Sequence, residues 1–294
     1  MTVRRVPQLR RSWCFMPGAE RAALLAAATC GADVLIQELE DFTPPQRREE
    51  ARAISAEVMA AWKAAGVVAA VRVNALDGDG MADLAAVMPG APDIIMLPKV
   101  SKPDHMIELD RAVAQLERAC GLVPGSTELV PNIESARGLV VAEAILSASP
   151  RIVAGIGNGE DMAADLGAER SREGSELAYV RMRFLVAARA AGVVPIDLPY
   201  TWTDAPGCEA DARESRRLGY PAKSAVTPEH CAIINRVLTP SAEEAARAAR
   251  IVTAFETARA RGEGRVLVDG SLVELPIYLS SKRLWQRAQS FGVA

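Results

Sequence analysis

Histidine is almost missing from this chain: His105 and His230 are the two in 294 residues. Neither neighbourhood looks like a ligand cluster. Both read as surface residues, and Ser-His-Asp or Cys-His catalysis has little support. The five cysteines, Cys14, Cys30, Cys120, Cys208 and Cys231, are odd in number and scattered. None forms a C-x-x-C pair, which argues against zinc ribbons and thioredoxin-type chemistry. They read as reduced thiols of a cytoplasmic protein. No stretch approaches the ~18 apolar residues of a membrane span, and the first apolar run is too short and mixed for a signal peptide. Positive charge is not in excess either: 34 Lys and Arg stand against 37 Asp and Glu, a net −3. A dedicated nucleic-acid binder would be basic. No Gly-x-Gly-x-x-Gly turn follows the first apolar strand, which disfavours an open doubly wound nucleotide-binding sheet.

What the chain does have is alternation. Apolar strands are expected at Ser12 to Met16, Asp33 to Leu39, Val67 to Val73, Asp93 to Leu97, up to Glu134, Ile152 to Ile156, Val193 to Asp197 and Tyr220 to Ala225. Helical segments separate most of them: Glu20 to Thr29, one opening at Pro44-Pro45, Pro103 to Ala119, Ala136 to Ser147, Ser175 to Ala191 and Glu209 to Leu218. Strands that are apolar along their whole length are expected when both faces are covered. Eight such units predict an α/β fold, a (β/α)8 barrel over residues 1–238. An extension, 239–294, follows. It reads as a helix from Ser241 to Arg261 with an N-cap serine, a hairpin around Asp269-Gly270 and a helix from Leu279 to Ser290. The barrel does not need it, so it is a candidate lid or subunit contact.

Catalytic groups on such barrels lie at the C-terminal ends of the strands. The charged residues expected there are Glu38, Glu40 and Asp41 after strand two, Arg72 on strand three, Lys99 after strand four, Glu134 after strand five, Asp161 after strand six and Asp197 at the end of strand seven. Two carboxylates on adjacent strands, Glu134 and Asp161, suit Mg2+ (or Mn2+), which takes oxygen ligands and keeps several waters. Each acid could instead cap a neighbouring helix or loop. Glycines 155, 157 and 159 allow backbone and ligand to approach closely. Glu40 and Asp41 could hold the waters of the metal, or serve as the acidic start of the next helix. An arginine inside an apolar strand needs an anion, so Arg72 points to a substrate carboxylate, with an ion pair to Glu40 or Glu134 as the alternative. Arg4, Arg5, Arg10 and Arg11, with Lys99 and Lys102, form local basic patches that suit either a solvated entrance or phosphate binding.

The segments Arg11-Ser-Trp-Cys-Phe-Met-Pro-Gly18, Glu38-Leu-Glu-Asp41, Val71-Arg-Val-Asn74, Leu97-Pro-Lys99, Ile133-Glu-Ser135, Gly157-Asn-Gly-Glu-Asp161 and Asp269-Gly-Ser-Leu-Val-Glu-Leu-Pro276 are each weak alone. In this order and spacing they resemble the citrate lyase β-subunit-like branch of the HpcH/HpaI aldolase family. The resemblance implies a TIM barrel whose extension closes the site of a neighbouring subunit in a homotrimer or hexamer. It implies Mg2+ on Glu134 and Asp161, and an oxo-acid (glyoxylate, oxaloacetate or pyruvate) bound by Arg72, with Arg11, Gly159 and Glu160 lining the substrate. The reaction it implies makes or breaks a carbon–carbon bond to an acetyl or acyl unit carried on coenzyme A. Glu274 takes the place of the tail acid, where acyl-CoA lyases of the family usually carry Asp. One added methylene moves that carboxyl group by over an ångström, and a general base must lie within hydrogen-bond reach. Val226 to His230 departs from the family's His-Pro form. Asp41 stands where the class II aldolase branch has histidine, which favours the lyase-like branch. A lyase of free hydroxy-acids, a malyl-type thioester hydrolase and a partner-dependent binding subunit are the rival readings.

Overall fold

A computed structural model describes residues 4–293. Within the first of two compact units, ending at Asn235, eight strands close a barrel. They are β1 (Ser12–Pro17), β2 (Val34–Glu38), β3 (Val68–Arg72), β4 (Ile94–Leu97), β5 (Glu128–Ile133), β6 (Ala154–Gly157), β7 (Val194–Tyr200) and β8 (Ala222–Ala225). Each pairs in parallel with the next, and β8 returns to β1. This is the (β/α)8 barrel expected from the alternation.

Side chains alternate faces along a strand, and that period decides what reaches the barrel mouth. Trp13 and Phe15, Val34 and Ile36, Val68 and Ala70, Ile94 and Met96, Val130, and Ala154 and Ile156 pack together as the barrel core. Two residues further along the same faces stand Glu38 on β2, Arg72 on β3 and Asn132 on β5. Glu134 follows Asn132 at the same spacing. The polar layer is thus the continuation of the apolar one.

The helix Pro103–Ala119 has its expected bounds. The segment expected as one helix from Ala136 is two, Ala136–Val140 and Ala142–Leu146, interrupted at Val141. The β-branched pair Val140-Val141 is a poor helix former. Two further helices, Gly80–Val87 and Gly159–Leu166, were not foreseen. Each starts on glycine, which lowers helix propensity. Strand β7 runs on to Tyr200 through an irregularity after Asp197. Asp197 therefore does not end its strand, and it faces outward rather than into the mouth.

The N-terminal arginines also belong elsewhere. Arg11 donates to Asp33 from its backbone N (2.7 Å) and from Nε (2.8 Å). Arg5 pairs with the same acid, Arg4 with Asp93 at 2.8 Å, and Arg10 with Glu128. Asp33 and Asp93 precede β2 and β4, and Glu128 starts β5. The cluster thus staples the N-terminal end of the barrel, opposite the catalytic end, and each of its arginines is engaged in an ion pair.

One buried acid sets an acid limit on stability. Glu117, in the helix Pro103–Ala119, accepts from Gly125 N (2.8 Å), Thr127 N (2.9 Å) and both Nη atoms of Arg151 (2.8 Å each). Burial would raise its pKa, but Arg151 and the two backbone N–H groups outweigh that and hold it at about 2, against an ordinary 4.5. The folded pKa is depressed, so this contribution is complete above about 4.5 and is lost as pH falls towards about 2. Urea melts across that range should show a shallower loss for Glu117→Gln, which starts less stable at neutral pH. Parallel pH profiles for the two proteins would contradict this.

The second unit begins at Arg236. Its helix Ala242–Ala260 starts with a full capping box of Ser241 and Glu244. A hairpin of β9 (Val266–Val268) and β10 (Ser271–Val273) turns on Asp269 (φ 49°) and Gly270 (φ 76°), the left-handed pair that a two-residue hairpin requires. The last helix, Leu275–Ser290, starts earlier than expected, with Pro276 in its first turn. Ile251, Val252, Phe255, Val273 and Tyr278 form the small core of this unit. No helix among the described residues is long and apolar enough to cross a membrane.

Candidate active site

The C-terminal mouth of the barrel opens on a cleft of about 250 Å³ lined in part by Phe15, Arg72, Asn132, Asn158 and Asp161. Its construction begins at Gly18, just after β1. A Cβ there would lie 2.2 Å from the Glu38 carbonyl oxygen, so only glycine lets the two loops close. Gly18 N donates to Thr43 Oγ1 at 3.0 Å, which ties down the loop carrying Glu40 and Asp41.

Glu38, fully buried, organises that loop. Its Oε1 accepts from Glu40 N at 2.7 Å and from Arg72 Nε at 2.9 Å, and its Oε2 accepts from Phe42 N. Glu38 and Arg72 are register partners on β2 and β3. Arg72 also reaches Glu40 Oε2 at 3.2 Å and lies 4.9 Å over the Phe15 ring. Burial opposes its charge, but Glu38, Glu40 and Glu134 more than restore it. The ion pair with Glu40 raised from the sequence is therefore present. The stronger anchor is Glu38, which sequence reasoning named as a strand-end acid without giving it a site role. Its signal was the period of two: Glu38 continues the inward face of Val34 and Ile36.

Glu40 is buried, with its carboxyl pushed up by desolvation against the pull of Arg72 and Lys99. Lys99 Nζ pairs with Glu40 and stands 3.5 Å from exposed Asp41. The basic entrance at Lys99 is thus neutralised from within. Asp41 lines the cleft.

Glu134 is held in an unusual way. Lys99 adopts a left-handed backbone (φ 53°), a strained conformation for a residue with a side chain. Its N–H donates to Glu134 Oε1, 2.5 Å away. Glu134 Oε2 is buried and has no partner among the described residues. Burial, then the nearby charges of Asp161 and Glu40, push this carboxyl up to about 7 despite Arg72 and the Lys99 N–H. Asp161 sits in the first turn of Gly159–Leu166, where the helix dipole favours an acid, and its Oδ2 accepts from Asn158 Nδ2. An orphaned carboxylate oxygen crowded by further carboxylates fits a divalent cation, whose charge would offset the repulsion. No three His, Cys, Asp or Glu side chains form a metal cage among the described residues. Two carboxylates leave the remaining positions to water or ligand, as Mg2+ prefers.

Gly159 is buried at the start of its helix. Glu160 lines the cleft, and its Oε1 accepts from Arg170 Nε (3.1 Å) and Thr201 Oγ1 (2.8 Å). Arg11 lies at the other end of the barrel and cannot touch a ligand here. Glu274 belongs to the second unit, where it precedes the last helix and is exposed. His230 is not the surface residue expected: it is 2% exposed and lies beside the Tyr200 ring, because its helix packs that face inward. Asn132, Asn158 and Thr201 line the cleft without having been singled out. Of these only Asn132, a lone amide in an apolar strand, carried a readable signal.

The family model described as HpcH/HpaI aldolase/citrate lyase matches residues 11–228. The citrate lyase subunit beta of Escherichia coli (strain K12) is 33% identical over 291 residues, 98% of this chain and 96% of that protein. The L-malyl-CoA/beta-methylmalyl-CoA lyase of Cereibacter sphaeroides (strain ATCC 17025 / ATH 2.4.3) is 32% identical, covering 92% of each. The structure of CitE from Mycobacterium tuberculosis in complex with magnesium, acetoacetate and coenzyme A superposes with a TM-score of 0.78 at 26% identity, covering 95% of this chain and 98% of that one. With a matching model over most of its length and full-length relatives above 30% identity, this chain belongs to the HpcH/HpaI aldolase/citrate lyase family and is a carbon–carbon lyase.

Proposed function

We propose that the protein is a Mg2+-dependent lyase that joins or separates a 2-oxo acid and an acyl unit carried as a coenzyme A thioester. The observation that carries this reading is the unpartnered, buried Oε2 of Glu134 at the mouth that also presents Arg72. Glu134 and Asp161 would hold the cation. When bound, such a cation supplies Lewis acidity towards an oxo oxygen. Manganese should substitute for magnesium, since the donors are hard oxygens.

The protein's own groups do the rest. Arg72, locked by Glu38 and Glu40, holds a fixed positive charge beside the place where an enolate or carboxylate charge would develop. Its orientation is set before substrate arrives, so no reorganisation is needed at the moment of reaction. Lys99 bridges Glu40 and Asp41 and so offsets the carboxylates on the guanidinium side of the mouth. Glu274 would move the proton, from the extension of this chain or of a neighbour in a trimer or hexamer.

The test is the release of glyoxylate, pyruvate or oxaloacetate from hydroxyacyl-CoA thioesters and from the corresponding free acids, with and without Mg2+. Metal-dependent release from the thioesters is expected. Arg72→Ala should lose on the order of a hundredfold in turnover. Near-normal turnover by that variant on the right substrate would count against the assignment. A second reading is a binding subunit that turns over only with a partner, since the Escherichia coli relative is named as a subunit. Mg2+-dependent oxo-acid binding without turnover by the isolated protein would select it.

A further inference from the structure

Asn132 is 1% exposed, yet it lines the cleft. Neither its Nδ2 nor its Oδ1 has a hydrogen-bond partner among the described residues. The other polar side chains named along that wall are engaged: Arg72 with Glu38, Asn158 with Asp161, and Glu160 with Thr201. β5 is otherwise apolar through this stretch, Leu129-Val130-Pro131 and then Ile133. A leucine at position 132 would fit that pattern without burying an unpaired amide, which is costly unless something pairs with it. The period of two places Asn132 on the inward face, between Val130 in the core and Glu134 at the mouth. It therefore forms the floor beneath the proposed metal-binding carboxylate.

An amide offers one donor edge and one acceptor edge together. A carboxylate on the ligand accepts only, so it would satisfy Nδ2 and repel Oδ1. An alkyl group would satisfy neither. A hydroxyl satisfies both, accepting from Nδ2 and donating to Oδ1. We propose that Asn132 is a specificity residue that selects 2-oxo acids carrying a hydroxyl group on the carbon next to the oxo carbon. The proposal rests on the reading of this cleft as an oxo-acid site and adds to it the class of oxo acid.

The experiment compares two ligands of nearly equal shape, 3-hydroxypyruvate and 2-oxobutyrate, by calorimetric titration into the full-length protein saturated with Mg2+. Pyruvate serves as the reference oxo acid. The wild type should bind 3-hydroxypyruvate at least about tenfold more tightly than 2-oxobutyrate. Asn132→Leu should reverse that order. Equal binding of the two by the wild type, with pyruvate also bound, would overturn the hydroxyl assignment and leave the oxo-acid site standing. It would mean that ordered water satisfies the amide. An unchanged ratio in Asn132→Leu would overturn the role of this residue. Failure of all three acids to bind would overturn both the inference and the reading it rests on. The wild-type comparison needs no substituted protein, so a variant that fails to fold does not remove the test.

Discussion

The Glu134→Gln protein will fold at least as well as the wild type and lose on the order of a thousandfold in turnover. The two effects have one cause. In the metal-free protein, burial and the neighbouring carboxylates make the charged form of Glu134 costly, raising its pKa to about 7. Glutamine has the same shape without that charge. Its Oε1 still accepts from Lys99 N, so the strained Lys99 backbone keeps its partner. What disappears is the charge on a buried, unpartnered carboxylate oxygen, and with it the attraction for a divalent cation. Thermal melts with and without Mg2+ separate the terms. A ligand that binds only the folded state raises the melting temperature, so the wild type should shift upward with Mg2+ and Glu134→Gln should not. A variant that kept the shift, or that kept turnover, would remove Glu134 from the metal site. Stability gained as function is lost is the usual trade at a site built with uncompensated charge.

Asp197→Ala will lose about 3–5 kcal/mol of stability. Asp197 is fully buried on the outer face of β7, where Arg181 Nε donates to Oδ1 at 3.0 Å, and Arg181 Nη2 and Ser215 Oγ donate to Oδ2. Lys223, its register partner on β8 and also fully buried, stands 3.2 Å from Oδ2 and 2.6 Å from Asp211 Oδ2. Burial would raise the Asp197 pKa, yet Lys223 and Arg181 hold it below the usual carboxylate range. Two cations and two anions balance here. Removing Asp197 leaves two buried cations facing Asp211 alone. Removing Lys223 as well, as Asp197→Ala/Lys223→Met, leaves Arg181 paired with Asp211 and restores balance. The double variant should therefore be about 1–3 kcal/mol more stable than the sum of the single losses predicts. Denaturant melts of the three proteins check this, and strict additivity would refute the coupled network.

How much of this was legible beforehand depends on the distance over which each property is decided. Strand and helix order came from local pattern. Pro103–Ala119 and the N-cap serine Ser241 were readable because their signals lie within a few residues of one another. Glu134 and Asp161 were readable as acids ending apolar strands, and Arg72 as a charge inside one. Arg11 was misread because its neighbours in sequence are indistinguishable from those of a site residue. Which end of the barrel it occupies depends on Asp33, 22 positions away. Asp197 was misread because a strand that passes through Pro199 to Tyr200 moves its end beyond the residue that seemed to close it.

Residue order alone determined the barrel, the extension and the chemical types at the strand ends, because hydrophobic periodicity and turn residues act over short spans of chain. Tertiary structure alone decided that Glu38 anchors Arg72, that Lys99 turns its backbone towards Glu134, and that Asn132 faces the cleft unpaired. Those facts depend on the register between strands and on which polar atoms are satisfied once the barrel has closed, and neither is set by any local stretch of sequence.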